Sequence, residues 1–346
     1  MSDASLRILI VRLSHLGDVV QALPLFHALR AEFPAARIAW AIQPEFAGLL
    51  RGLPGLERVI AFERRAGAAA WPKLARELED YGADWSIDAQ GNVKSAMVAL
   101  ASRASRRSGY ARDDWREPFA ATSVTDPCPA GERDEHAVER LLRLARHVAP
   151  GRHPPRFDAG LSPEEIARGE NALRALAPRP GGALLHVSPP ADVRSWPLER
   201  FADIARARAE LGPVVVVSGP AEEAHGRALE HELRHPRIAH VVGQRGLRDL
   251  AALFTAAARN DMPFVGCDSG PMHLAWASGM HVVLVAGPQD ERRTGPYEHA
   301  LAHAVVRTDR ALDCAPCLSR TCSHREGPVC MSTITTDDVR RALDNV

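Results

Sequence analysis

The chain has almost no lysine: Lys73 and Lys94 are the only two among 43 basic residues, so arginine is allowed at positions where an anion site would otherwise use lysine. Excess charge is missing too, 43 basic residues balancing 43 acidic ones, which argues against a general nucleic-acid binder or a strongly basic membrane-surface protein. A local basic patch is still allowed. No run approaches the roughly 18 apolar residues of a membrane span. The opening MSDASLRILIV puts an acid before a five-residue apolar run, unlike the basic and longer apolar regions of a secretory signal. A cytoplasmic chain is therefore expected. Six cysteines in 346 residues do not make a disulfide scaffold, and in a reducing compartment they are expected as free thiols or metal ligands. Short-period repeats and low-complexity runs are also absent.

What is present is alternation. Apolar runs (RILIV, RIAWAI, RVIAF, WSIDA, then ALLHVS, VVVVSG, AHVVG, FVGCDSG, VVLVAG) are separated by helix-length segments such as LRDLAALFTAA, with Leu247, Leu250 and Leu253 on one face. Strands spaced this way predict parallel βαβ units. The length calls for two domains. A proline- and glycine-rich stretch at 149–163 separates them. The expectation is an α/β protein of two doubly wound domains, 1–160 and 161–325. A closing segment, 326–346, ends in a helix capped by Thr335 or Thr336, read as packing back on the first domain.

Open α/β sheets bind ligands at the carboxyl ends of their strands, and two motifs occupy such places. VRLSHLGDVV puts Asp18 at a strand-to-helix turn, as a helix cap or as a chemical group. FVGCDSGPMHLAWA puts Asp268, Ser269, Gly270 and His273 at another, where backbone amides at a helix start can meet a phosphate; an ordinary capped turn with a core histidine fits as well. In HVSPPADVRSWP, Ser188 and Arg194 can bond and grip a phosphate, or Arg194 is a solvated charge beside a core Trp196. Glu222, after the strand VVVVSG, can accept ribose hydroxyls or simply favour a helix start.

Residues 94–116 hold six basic residues against two acids. Lys94, Arg107, Arg112 and Arg116 are candidates for an anionic acceptor, with a solvated helix end as the alternative. Cys314, Cys317, Cys322 and Cys330 follow C-x2-C-x4-C-x7-C. Four thiolates so close can hold a structural zinc or iron, with His324 as a spare ligand, or form an unmetallated loop of thiols.

The stretches LIVRLSHLGDVVQALP, IDAQGNVKSA, REPFA, HAVERLL, RSWP and DSGPMHLA, in this order, resemble glycosyltransferase family 9, the ADP-heptose:lipopolysaccharide heptosyltransferases, and most of all its heptosyltransferase I branch. The resemblance implies a GT-B architecture, two Rossmann-like domains facing a central cleft. It also implies an inverting transfer that needs no metal or cofactor. Donor ADP-heptose would lie on the C-terminal domain and a Kdo2-lipid A acceptor on the N-terminal one, at the cytoplasmic face of the inner membrane, with no role for nucleic acid. Asp18 falls on the family's general base, Asp268, Ser269, Gly270 and His273 on its donor motif, and Glu222 near the nucleotide ribose. Two departures stand out: Arg194 replaces a phosphate-binding lysine, and the loop SPPADV lacks one of two expected threonines. A family 9 enzyme with another nucleotide-sugar or acceptor is the main alternative. A non-catalytic sugar-nucleotide binder has no need of Asp18, and a dinucleotide oxidoreductase would want G-x-G-x-x-G after the first strand, which RLSHLGD is not.

Overall fold

The structure is a computed structural model that describes residues 6–189, 192–243, 246–297 and 303–346. Pro190 and Ala191, in the loop SPPADV, therefore lie outside the described residues. The chain divides into two compact units, Met1–Gly160 and Leu161–Val346.

The first unit is built on six strands: β1 (Arg7–Val11), β2 (Arg37–Ile42), β3 (Arg58–Ala61), β4 (Trp85–Asp88), β5 (Arg106–Gly109) and β6 (Asp126–Pro127). They pair in parallel in the order β3-β2-β1-β4-β5-β6. Strand β1 is central and covered on both faces, which is why it is a continuous apolar run; Ile8, Leu9, Ile10 and Val11 are fully buried. Burying each such side chain stabilises the fold by roughly 1.5–3 kcal/mol. Because β1 has β2 on one side and β4 on the other, the strand order reverses there, and the crevice at the carboxyl ends of β1 and β4 is this sheet's natural ligand position.

The second unit repeats the plan with β7 (Ala183–His186), β8 (Val214–Ser218), β9 (Ile238–Val242), β10 (Phe264–Cys267), β11 (Val282–Val285) and β12 (His303–Val306). These are parallel in the order β12-β11-β10-β7-β8-β9, so the reversal lies between β7 and β10. Entry to β7 needs glycine: Gly182 has φ +91°, and a Cβ there would meet the Pro213 carbonyl oxygen at 1.7 Å. The closing helix Thr336–Leu343 is capped by Thr335, whose side chain accepts from Asp338 N. Its position corrects the sequence expectation. Val339 and Leu343 are buried in the core of the second unit with Phe201, Ala205 and Val283, because its apolar face has its partner on the helix Leu198–Leu211 of that same unit.

Candidate functional site

In the first unit the chain leaves β1 at Val11 and starts the helix Leu16–Glu32, with His15 as its N-cap. Asp18 is the third residue of that helix, and its Oδ2 accepts from the His15 backbone N at 2.8 Å, so it does cap the helix. Its other oxygen faces a cation: Arg12 Nη2 lies 3.0 Å from Asp18 Oδ1. Arg12 is anchored in turn by donating from Nη1 to the Ala89 carbonyl, 2.6 Å away. That bond joins the end of β1 to the end of β4, across the switch point. Leu13 N donates to Gln90 Oε1 at 2.7 Å in the same crevice. Asp88 is buried beneath, accepting from the Gln90 and Gly91 amides, and burial pushes its carboxyl up. Burial also pulls Asp18 upward, but Arg12 and the His15 hydrogen bond outweigh it and hold the carboxyl down at about 2. Asp18 is therefore ionised at neutral pH, and its side chain is 38% exposed, open to a second molecule.

In the second unit β7 leads through Ser188 to Arg194 and the helix Leu198–Leu211. Arg194 donates from Nε and Nη2 to the two carboxylate oxygens of Asp192 at 2.9 and 2.6 Å, and from Nη1 to the Asp268 carbonyl at 3.0 Å. The last bond again crosses a switch point, from the loop after β7 to the loop after β10. There Ser269 caps the helix Gly270–Ala277, its hydroxyl accepting from Met272 N, with Pro271 in the first turn. His273 Nε2 lies 3.4 Å from Asp268 Oδ1. Glu222, at the end of β8, accepts from Gly219 N at 2.9 Å, and burial raises its carboxyl. Trp196 is a core anchor, stacked edge-on against Phe201. Ser188, Arg194, Glu222, Asp268, Ser269, Gly270 and His273 thus all sit in the loops and helix starts at the carboxyl end of one sheet, with the guanidinium of Arg194, held by Asp192, beside a helix N-terminus.

The basic candidates divide. Lys94 follows the Asn92 cap of the helix Val93–Ala101, and Arg112 and Arg116 follow β5; all three are exposed and lie beyond strand carboxyl ends, as Asp18 does. Arg107 does not join them. It pairs in register with Ser86, two residues short of the end of β5, and its guanidinium donates to the carbonyls of Ser123 and Ala104. It ties the sheet edge together and is not available to an acceptor.

Cys314, Cys317, Cys322 and Cys330 do line one pocket, with His324, Val193 and Pro288. As a metal site they do not fit: among the described residues no three His, Cys, Asp or Glu side chains are placed to hold an ion. Three of the thiols are exposed, and burial together with the neighbouring thiols pushes Cys330 up. Among the described residues the arrangement is a loop of thiols.

Three residues escaped the sequence reading. Arg12 was visible as a charge directly after an apolar strand. His186, fully buried at the end of β7, lies 3.9 Å from Glu222 Oε2, and burial pushes it down to about 4, so it is neutral; a histidine ending an apolar strand was its signal. Asp192 was marked only by its spacing to Arg194.

The sequence pattern of glycosyltransferase family 9 (heptosyltransferase) matches residues 71–326, well over half of the chain. The chain belongs to glycosyltransferase family 9. The enzyme is 26% identical to lipopolysaccharide heptosyltransferase 1 of Pseudomonas aeruginosa, over 98% of this chain and 97% of that protein. It is 27% identical to lipopolysaccharide heptosyltransferase 1 of Escherichia coli K12, over 84% and 91% of the two chains. The E. coli heptosyltransferase WaaC with ADP superposes with a TM-score of 0.74 at 21% identity, over 98% and 99% of the two chains. The fold is thus GT-B and the protein a glycosyltransferase similar to heptosyltransferases I. No helix among the described residues is long and apolar enough to cross a membrane.

Proposed function

We propose that the enzyme is an inverting heptosyltransferase that moves heptose from ADP-heptose to a Kdo sugar of the lipopolysaccharide inner core. The observation that carries this reading is the pair of switch-point sites, an ionised Asp18 fixed by Arg12 and an arginine fork beside a helix N-terminus. The names of its relatives and a structural neighbour with ADP support the donor.

In this mechanism the acceptor hydroxyl attacks the anomeric carbon from the face opposite ADP. The new C–O bond forms as the bond to the β-phosphate oxygen breaks, and its electron pair leaves on ADP, so the configuration inverts. The attacking oxygen becomes strongly acidic as it forms the bond, and a carboxylate whose pKa is about 2 still accepts its proton. Arg194 and the amides at Ser269 and Gly270 meet the charge that grows on the departing diphosphate. Glu222 accepts from the ribose hydroxyls. Lys94, Arg112 and Arg116 attract the carboxylates and phosphates of a Kdo2-lipid A acceptor, which places the enzyme peripherally on the cytoplasmic face of the inner membrane. No metal or cofactor takes part in these steps.

The direct test is turnover of purified protein with ADP-heptose and Kdo2-lipid A, read as a product heavier by one heptose. Transfer from another nucleotide-sugar alone would move the assignment to a different family 9 donor.

Arg12 gives the reading a pH signature. In Arg12→Met, the cation that lowers Asp18 is gone, and burial, opposed only by the contacts with His15, raises it. The group then loses its charge at higher pH, so the acid limb of kcat should move upward, with kcat at neutral pH reduced about 10-fold. A kcat profile identical to wild type would remove Arg12 from the mechanism.

A further inference from the structure

Large apolar side chains left in water are few among the described residues, and three of them gather in the first unit. Met97 and Leu100, 44% and 51% exposed, lie one turn apart on the helix Val93–Ala101. Lys94 is one turn before Met97 on the same face. Phe119, 67% exposed, sits in the short 3-10 helix Pro118–Ser123, which packs on that helix and is tied to it by Val93 N donating to Glu117 Oε2 at 3.3 Å. The opposite face of the helix is buried through Ala96, Val98 and Ala99, so Met97 and Leu100 are not core residues turned outward by accident of register.

Cations rim the patch. Lys94 and Arg112 are exposed; the Arg116 side chain is 86% exposed, with Glu117 at 3.5 Å. The Arg103 side chain is 76% exposed and paired with Glu79. Other charges of this segment are turned to internal partners: Arg106 to Asp126, Arg107 to backbone carbonyls and Asp114 to Arg143. Asp113 is the exposed acid among them. Apolar side chains beside exposed arginine and lysine match the boundary of an anionic lipid leaflet, where acyl chains and phosphates lie within one side-chain length of each other.

We propose that this patch docks the enzyme on an anionic bilayer, with Phe119, Met97 and Leu100 entering the headgroup boundary and Lys94, Arg112 and Arg116 meeting lipid phosphates. The inference rests on the reading that the acceptor is carried by a lipid, and it names the surface that brings the enzyme to it.

The test is sedimentation of the full-length protein with vesicles of phosphatidylglycerol and phosphatidylethanolamine, without acceptor, against vesicles of phosphatidylcholine alone. Wild type should partition to the anionic vesicles, about fivefold less for each cation neutralised, and less as salt rises. The triple variant Met97→Gln, Leu100→Gln, Phe119→Asn should lose binding by a factor on the order of 100. Its melting temperature and its turnover of a soluble, delipidated Kdo acceptor should stay near wild type, since the side chains are exposed. Failure of wild type to bind, or equal binding by the triple variant, would overturn the proposal. So would a wild-type dimer that the triple variant dissociates without any vesicle binding, which would assign the patch to a second copy of the chain. If vesicles bind but no Kdo acceptor is glycosylated, the functional reading fails and the membrane surface stands.

Discussion

Asp18→Asn is expected to lower kcat by about 10²–10⁴-fold, the usual contribution of a positioned base, while ADP affinity and melting temperature change little. Asn and Asp are comparable at helix starts, and an amide oxygen can still accept from the His15 backbone N that Asp18 Oδ2 now holds at 2.8 Å. Arg12 keeps its bond to the Ala89 carbonyl and can donate to the same amide oxygen. The ion pair itself is worth little to stability, because the Asp18 side chain is 38% exposed and such pairs are screened by water. What the amide cannot do is take a proton. Single-turnover kinetics, titration calorimetry with ADP and a thermal melt on the same preparation separate these effects. A variant that melts early but keeps its kcat per folded molecule would make Asp18 a helix cap only.

That double duty explains why Asp18 was legible in the sequence while its setting was not. An acid three residues into a helix after RILIV marks a strand-end turn from local pattern alone. The bonds that cross the two switch points are between residues far apart in the chain: Arg12 to Ala89 and Arg194 to Asp268. They exist only because β1 lies beside β4, and β7 beside β10, which no local pattern encodes. Arg107 was miscast for the same reason. Charge counting ranks it with Arg112, but parallel register puts it short of the strand's carboxyl end, with backbone carbonyls in reach of its guanidinium.

The strands follow a similar rule. Runs buried on both faces, such as RILIV and VVVVS, were visible because burial demands apolar residues throughout. Strand β5, Arg106–Gly109, was missed because Arg-Arg-Ser-Gly carries no apolar signal; it is held by pairing with β4 and by side-chain bonds such as Ser108 Oγ to Asp126. Strand β6 has two residues, and β12 lies at an edge with only Val306 buried, so neither had enough core to show a period. The closing helix was legible as an amphipathic element, but an apolar stripe such as Val339 and Leu343 does not say which domain it meets.

Arg194→Ala should raise the dissociation constant of ADP by roughly 10–100-fold, since hydrogen bonds to charged groups contribute about 1.5–3 kcal/mol. The lower part of that range follows from the arginine's present engagement. Its Nε and Nη2 are held by Asp192, so a diphosphate gains the fork only by taking it from a carboxylate. Asp192→Asn removes that competitor and should tighten ADP. Arg194→Lys keeps the charge without the planar fork and should fall between alanine and wild type. Because charge grows on the leaving diphosphate, kcat/KM for ADP-heptose should drop further than ADP affinity in Arg194→Ala. Calorimetric titration of the full-length protein gives the affinities, and initial rates give the ratio. If Arg194→Ala binds ADP as wild type does, the fork between β7 and β10 is a structural tie and the diphosphate lies elsewhere. If Asp192→Asn weakens ADP instead, Asp192 is the brace that aims Arg194 and not its rival for the phosphate.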